Sequence, residues 1–171
     1  MDHLNDRPSL FGSDPDVIEI GIGELVIASA PKRLLTPALG SCVGITLYAP
    51  DRRMGGMAHI MLPKPGGDRF GEPGRFADYA VPELLRRMVE QGCRRTAIEA
   101  KIAGGAAMFR GEEFVAGIGD RNLAEVRRQL DLLGIRVVGE DVGESHARTI
   151  ELDLVTGELQ VRSYQFGLVT V

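Results

Sequence analysis

Between Leu39 and Leu62 the chain reads LGSCVGITLYAPDRRMGGMAHIML, and this stretch limits the fold more than any other. Val43, Ile45 and Leu47 alternate with smaller or polar residues, the period of a strand that begins just at Cys42. Pro50-Asp51 supplies a turn, and MGGMAHIMLP reads as the returning strand, with Gly55-Gly56 near its start. Strand, turn and strand make an antiparallel hairpin. The start of the first strand and the end of the second then lie at the same end of the sheet, and those positions hold Cys42 and His59.

Other segments read in the same way. VIEIGIGELVIASA, residues 17–30, fits two short strands with a bend at Gly21 and Gly23, and RLLTPAL leads from there to the cysteine. Residues 63–74, with four Gly and three Pro in twelve, form a surface loop. Val81, Leu84, Leu85, Met88 and Val89 share one helix face; Gly92 stops that helix, and Pro82 fits its first turn. AIEAKIAGGAAMF is a strand entering a glycine turn. A second helix starts near Asp120 as N-cap, buries Leu123, Val126, Leu130 and Leu133, and ends at Gly134. IRVVGEDV is a strand, and RTIELDLVTGELQVRSYQF forms a terminal hairpin turning at Thr156-Gly157.

About eight strands and two long helices, with several strands joined directly, predict an α+β fold. Helices lie on the outside of packed antiparallel or mixed sheets, and a doubly wound arrangement is disfavoured. A chain of 171 residues forms one domain over 17–171, able to bury about 70% of the surface its unfolded form exposes. Residues 1–16, with four Asp and no apolar core, read as a poorly ordered leader, with a docking arm as the alternative, and not as a signal peptide. No apolar run reaches 18 residues, so no membrane insertion is expected.

Two cysteines without a CxxC pair predict free thiols in a reducing cytoplasm. Net charge of -4, 5% aromatics and no Trp disfavour nucleic acid as a partner. The three His and two Cys show no metal-ligand spacing, so no metal is expected. GIGELV is not GxGxxG, IAGGAAMF lacks the Lys-Ser/Thr of a P-loop, and no GxSxG elbow occurs, so no organic cofactor is expected either. Gly104-Gly105 reads first as a tight turn or close packing, and second as part of a site.

A buried cysteine is ordinarily a small hydrophobe, and a lone histidine ordinarily bonds a backbone carbonyl. The hairpin changes both readings. Cys42 follows Gly40 and Ser41, where bare backbone lets a substrate carbonyl approach N–H groups as an oxyanion hole requires. A thiol beside His59 is expected to ionise to thiolate and imidazolium, a nucleophile at neutral pH. Thr36, held extended by Pro37, is the nearest candidate to orient the imidazole, although a strand hydroxyl often has no such role.

LGSCVGITLYAP followed by GGMAHIMLP resembles the active-site region of the CheD family, the chemoreceptor glutamine deamidases of bacterial and archaeal chemotaxis. FADYAVPELLRRMVEQG, EAKIAGGAAMF, GDRNLAEVRRQL and GIRVVGEDVG resemble further family blocks in the same order, so the likeness covers roughly residues 19–161. The resemblance implies a fold related to the cytotoxic necrotizing factor-type cysteine deamidases and a triad of Cys42, His59 and Thr36. It also implies conversion of receptor glutamines to glutamates, in some members hydrolysis of glutamyl methyl esters, and in many organisms a CheC-type phosphatase as partner. One departure is GESHAR after EDVG, where Ala147 stands at a position often occupied by glycine; a backbone with positive φ there would be strained, and His146 reads as a solvated loop residue. The rival reading is an adaptor that docks on receptors or on a CheC-type phosphatase with little catalysis.

Overall fold

The structure, a computed structural model, describes residues 14–66, 71–109, 111 and 117–171. Along the chain run β1 (Val17–Glu19), β2 (Leu25–Ser29), β3 (Arg33–Leu39), β4 (Val43–Ala49), β5 (Met54–Ile60), α1 (Ala77–Glu90), β6 (Glu99–Gly104), α2 (Ile118–Leu132), β7 (Arg136–Val142), β8 (Arg148–Asp153), β9 (Leu159–Ser163) and β10 (Gly167–Thr170). The strands build two five-stranded mixed sheets, ordered β1-β3-β8-β9-β10 and β2-β5-β4-β6-β7. The fold is therefore α+β.

The β4–β5 hairpin forms as its pattern requires, with Gly44 opposite His59 and Ala49 opposite Met54. Its neighbours on both sides make it the centre of its sheet, and every residue of β4 is buried. Val43, Ile45, Leu47 and Ala49 face a core shared with Ala80, Val81, Leu84 and Leu85 of α1 and with Leu123, Val126 and Leu130 of α2. Residues of the other parity face the second sheet. A Cβ on Gly44 would come within 2.5 Å of Ile150, and the inter-sheet core joins Tyr48 and Met57 to Leu34, Leu39, Ile150 and Leu152. The layers are thus helices, sheet, sheet. Truncating Leu84 or Ile150 to Ala would cost about 2–5 kcal/mol at such fully buried sites.

The bend at Gly21–Gly23 sends β1 and β2 into different sheets. Two strands were not legible as strands. β3 contains Pro37, which a regular ladder excludes; it is accommodated by a register shift between Thr36 and Leu39, with Ala38 at φ 56. β10 is an exposed edge strand paired with β9. Helix α1 starts at Ala77, so Pro82 lies beyond the first turn and cannot donate to the Asp78 carbonyl. The earlier start is stabilised by buried Ala77 and Ala80 and by Leu62 and Pro63 carbonyls accepting from the N–H groups of Ala77 (3.0 Å) and Asp78 (3.2 Å). Val89, expected on the buried face, is exposed. Helix α2 is capped at Gly117, which places Asp120 in its first turn, where a carboxylate suits the helix dipole. It ends at Gly134, φ 70, as expected, with Leu133 only half-buried.

Of the leader, residues 1–13 lie outside the described residues. Asp14 accepts a hydrogen bond from Arg33, and the Asp16 carbonyl accepts from Arg33 N–H at 2.8 Å, so residues 14–16 are tied to β3. No helix among the described residues is long and apolar enough to cross a membrane.

Candidate active site

Strand parity puts Cys42 and His59 on the inter-sheet side of the hairpin. His59 faces Gly44 across the ladder, and Cys42 stands two positions further along, a diagonal neighbour at the open end. His59 is buried, Cys42 half-buried.

Thr36 reaches the imidazole from the other sheet. Its Oγ1 lies 2.7 Å from His59 Nδ1 and 2.6 Å from the Ile20 carbonyl. A carbonyl can only accept, so the hydroxyl gives its single proton to Ile20 and must accept from Nδ1–H. The neutral ring is thereby fixed as the Nδ1–H tautomer, and Nε2 is left as its basic nitrogen. Nε2 is buried and has no partner among the described residues.

Burial sets the resting charges. It lowers the His59 pKa to about 4, with the Glu24 carboxylate pulling weakly the other way, and it raises the Cys42 thiol, with a smaller opposing effect from the Cys42 backbone N–H. Both shifts favour neutral thiol and neutral imidazole. The thiolate–imidazolium pair expected from the sequence is therefore not the resting state, because the second sheet removes water from that face, and no hydrogen bond joins Sγ to the ring among the described residues. Cys93, at the far end of α1, is also raised by burial and sits 3.5 Å from Met54 Sδ.

The segment before Cys42 is held by its carbonyls. Gly105 N–H donates to Cys42 O (2.8 Å), Ala106 N–H to Gly40 O (2.9 Å), and Asn122 Nδ2 to Ser41 O (2.9 Å). Among the described residues, no backbone or side-chain oxygen accepts from the N–H groups of Ser41 and Cys42. The glycine turn is needed for this clamp: Gly104 (φ 104) has no room for a Cβ beside Cys42 O, and Gly105 (φ 67) has none beside Leu123. Sequence reasoning passed over Asn122 and the Ile20 carbonyl. Asn122 carried a signal, a polar residue four positions before Val126 on the buried stripe of α2. A backbone carbonyl carries none.

Around this end lie Ile22, Met61, Met108 and Phe109, all exposed, and Met108 abuts Gly40. Two surface hollows, one walled by Leu35, Glu151 and Arg162 and one by Ala38, Ala147 and Tyr164, do not have Cys42 in their lining. The thiol is half-buried beside exposed apolar side chains, which suits a macromolecular substrate. In the GESHAR loop the positive φ values fall on Gly143 and Glu144 and not on Ala147, so the alanine is unstrained. His146 is half-buried with its ring 4.9 Å from Phe166, and Arg148 donates to the carbonyls of Gly143 and His146 and to Asp141. Among the described residues, no cluster of His, Cys, Asp or Glu could hold a metal ion.

Comparison with known proteins gives a consistent result. Residues 61–163 match the family described as CheD, chemotactic sensory transduction. That match begins after His59, so it does not depend on the three residues above. The chain is 43% identical over 154 residues to a probable chemoreceptor glutamine deamidase CheD of Desulfitobacterium hafniense, covering 89% of this chain and 96% of that protein. It is 40% identical to a protein of the same description from Clostridium novyi (90% and 96% covered) and 38% identical to one from Haloarcula marismortui (93% and 92%). A crystal structure of the hypothetical protein YfiH from Bacillus licheniformis aligns at a TM-score of 0.41 and 17% identity over 71% of this chain and 50% of that one, too slight a likeness to define the fold. Sequence blocks, family match and near full-length relatives converge: the chain belongs to the CheD family.

Proposed function

We propose that this protein deamidates glutamine side chains of methyl-accepting chemoreceptors to glutamates, with Cys42 as nucleophile, His59 as acid and base, and Thr36 as the orienting residue. The observation that carries the proposal is the chain Ile20 carbonyl, Thr36 hydroxyl, His59 Nδ1, which leaves a basic Nε2, without a partner among the described residues, on the face that bears Cys42.

Cys42 Sγ adds to the glutamine amide carbon as its proton passes to Nε2, so the thiol ionises only as it attacks. The N–H groups of Ser41 and Cys42, in the bare segment opened by Gly40, receive the oxyanion. His59 returns the proton to the nitrogen, ammonia leaves, and a thioester remains. Water, deprotonated by the same imidazole, cleaves the thioester to glutamate and the thiol. The Glu24 carboxylate favours the imidazolium formed in between. No group beyond the chain and water enters the balance. Glutamyl methyl esters fit the same steps, with methanol leaving. Each conversion adds a negative charge to a receptor helix and creates a methylatable carboxylate, and repulsion between neighbouring carboxylates can then bias signalling.

The finer parts of this reading are a single domain over 17–171 behind a leader, cytoplasmic location and kinship with the cytotoxic necrotizing factor-type deamidases. They are supported by two free thiols, in Cys42 and Cys93, and by a site built from cysteine and histidine on packed sheets. Absence of nucleic-acid binding is supported by a net charge of -4. The exposed rim of Ile22, Met61, Met108 and Phe109 supports docking on receptors and on a CheC-type phosphatase, the feature an adaptor would share.

Mass spectrometry of the organism's receptor fragments after incubation separates enzyme from adaptor. Conversion of amide to acid at particular glutamines is expected. Tight binding without conversion on any receptor would leave the adaptor.

A further inference from the structure

We infer that Asn122 is a positioning residue that aims the Cys42 N–H at the substrate oxyanion; the inference rests on the nucleophile role proposed for Cys42. Three consecutive carbonyls, of Gly40, Ser41 and Cys42, are each fixed by a different donor, and among the described residues only the middle one is held by a side chain. In a planar trans peptide the C=O of one residue and the N–H of the next point in opposite directions. Holding the Ser41 carbonyl therefore sets the direction of the Cys42 N–H, the donor nearest the nucleophile.

The same Nδ2 donates to the Met61 carbonyl at 3.0 Å, two residues beyond His59. One carboxamide thus bridges the segment that carries the nucleophile and the strand that carries the base. Both partners can only accept, so the amide orientation is forced and Oδ1 must point elsewhere. Asn122 is fully buried, and Oδ1 has no partner among the described residues. A buried acceptor left without a donor costs stability, so what selects an asparagine here is the pair of bonds that its Nδ2 donates. The helix that carries it is seated directly on the clamp, since a Cβ on Gly119 would come within 2.5 Å of the Ala106 carbonyl, and Asn122 has little freedom to move away.

The test compares two reactions of Cys42. Deamidation builds an oxyanion; alkylation by iodoacetamide, a displacement at saturated carbon, does not. Asn122→Ala is expected to lower kcat about 10- to 100-fold, with KM for a receptor fragment and the Cys42 alkylation rate nearly unchanged. Asn122→Ser, which keeps a hydroxyl at the site, provides the same comparison if the alanine variant does not melt cooperatively. Unchanged kcat, kcat and alkylation falling together, or loss of cooperative melting in both variants would overturn the positioning role. A wild type that converts no glutamine would overturn the nucleophile role and this inference with it, whereas an active wild type beside an unimpaired Asn122→Ala would overturn this inference alone.

Discussion

The two ends of the β4–β5 hairpin are built from the same strands and do opposite things. At the turn end, Tyr48 donates its hydroxyl to the Leu154 carbonyl at 2.9 Å, Gly157 packs against its ring, and Cys93 rests on Met54 in the core. Polar atoms there are used for closure. At the open end, among the described residues, His59 Nε2 and Asn122 Oδ1 are buried without partners, and no oxygen accepts from the Ser41 and Cys42 N–H groups. Unused bonding capacity lowers stability, so its gathering at one end of one hairpin marks where chemistry is placed.

The largest effect expected from this asymmetry lies between the two cysteines. Cys42→Ala should abolish deamidation and keep the fold, since it deletes one half-buried sulfur, whereas Cys93→Ala should keep activity and lose about 1–2 kcal/mol of stability. Limiting iodoacetamide should label Cys42 first and inactivate in proportion; preferential labelling of Cys93 would break the comparison.

A smaller effect belongs to the tautomer. Thr36→Val keeps the shape of the side chain and removes the acceptor for Nδ1–H, so kcat should fall about 10- to 100-fold while receptor binding and folding persist. Thr36→Ser should restore most of it. Equal turnover in all three proteins would remove Thr36 from the mechanism.

Protons provide the third test. With the folded His59 pKa near 4 and an ordinary value of 6.5, the unfolded chain binds a proton first as pH falls. Stability should be complete above pH 6.5, decline by about 3 kcal/mol between there and pH 4, and stop declining below it on this account. Urea midpoints across that window should show the loss, and His59→Gln should flatten it. In the same range kcat/KM should keep its value down to about pH 5, its acid limb lying near 4. An acid limb near 6.5 would mean that the ring is hydrated and the site more open.

The smallest change tests the turn end. Tyr48→Phe removes one hydrogen bond to a buried carbonyl and should cost about 1–2 kcal/mol in urea unfolding with kcat and KM intact. A loss of activity there would show that the two ends are coupled.

Local pattern determined a good deal of this protein. Period-two alternation around Val43–Leu47, the Pro50-Asp51 turn and the helix stops at Gly92 and Gly134 follow from backbone sterics and burial over a few residues, so the central hairpin, both helices and the α+β class are readable from the chain. The hairpin alone also placed Cys42 and His59 at one end, because antiparallel pairing is itself a local rule. Distance defeated the rest. β3 was hidden because Pro37 forbids a regular ladder and only a bulge against β8, more than a hundred residues away, accommodates it. Helix α1 began early because carbonyls of the preceding loop cap it. Above all, the charge state of the site came from the sheet packed over it: Thr36 and Ile20 set the tautomer, and burial reversed the ionisation that a bare Cys–His pair predicts. Desolvation is a property of everything within several ångströms of an atom, and no spacing along the chain encodes it. The same holds for Asn122, a polar residue on an apolar stripe until the fold brings the Ser41 and Met61 carbonyls to it.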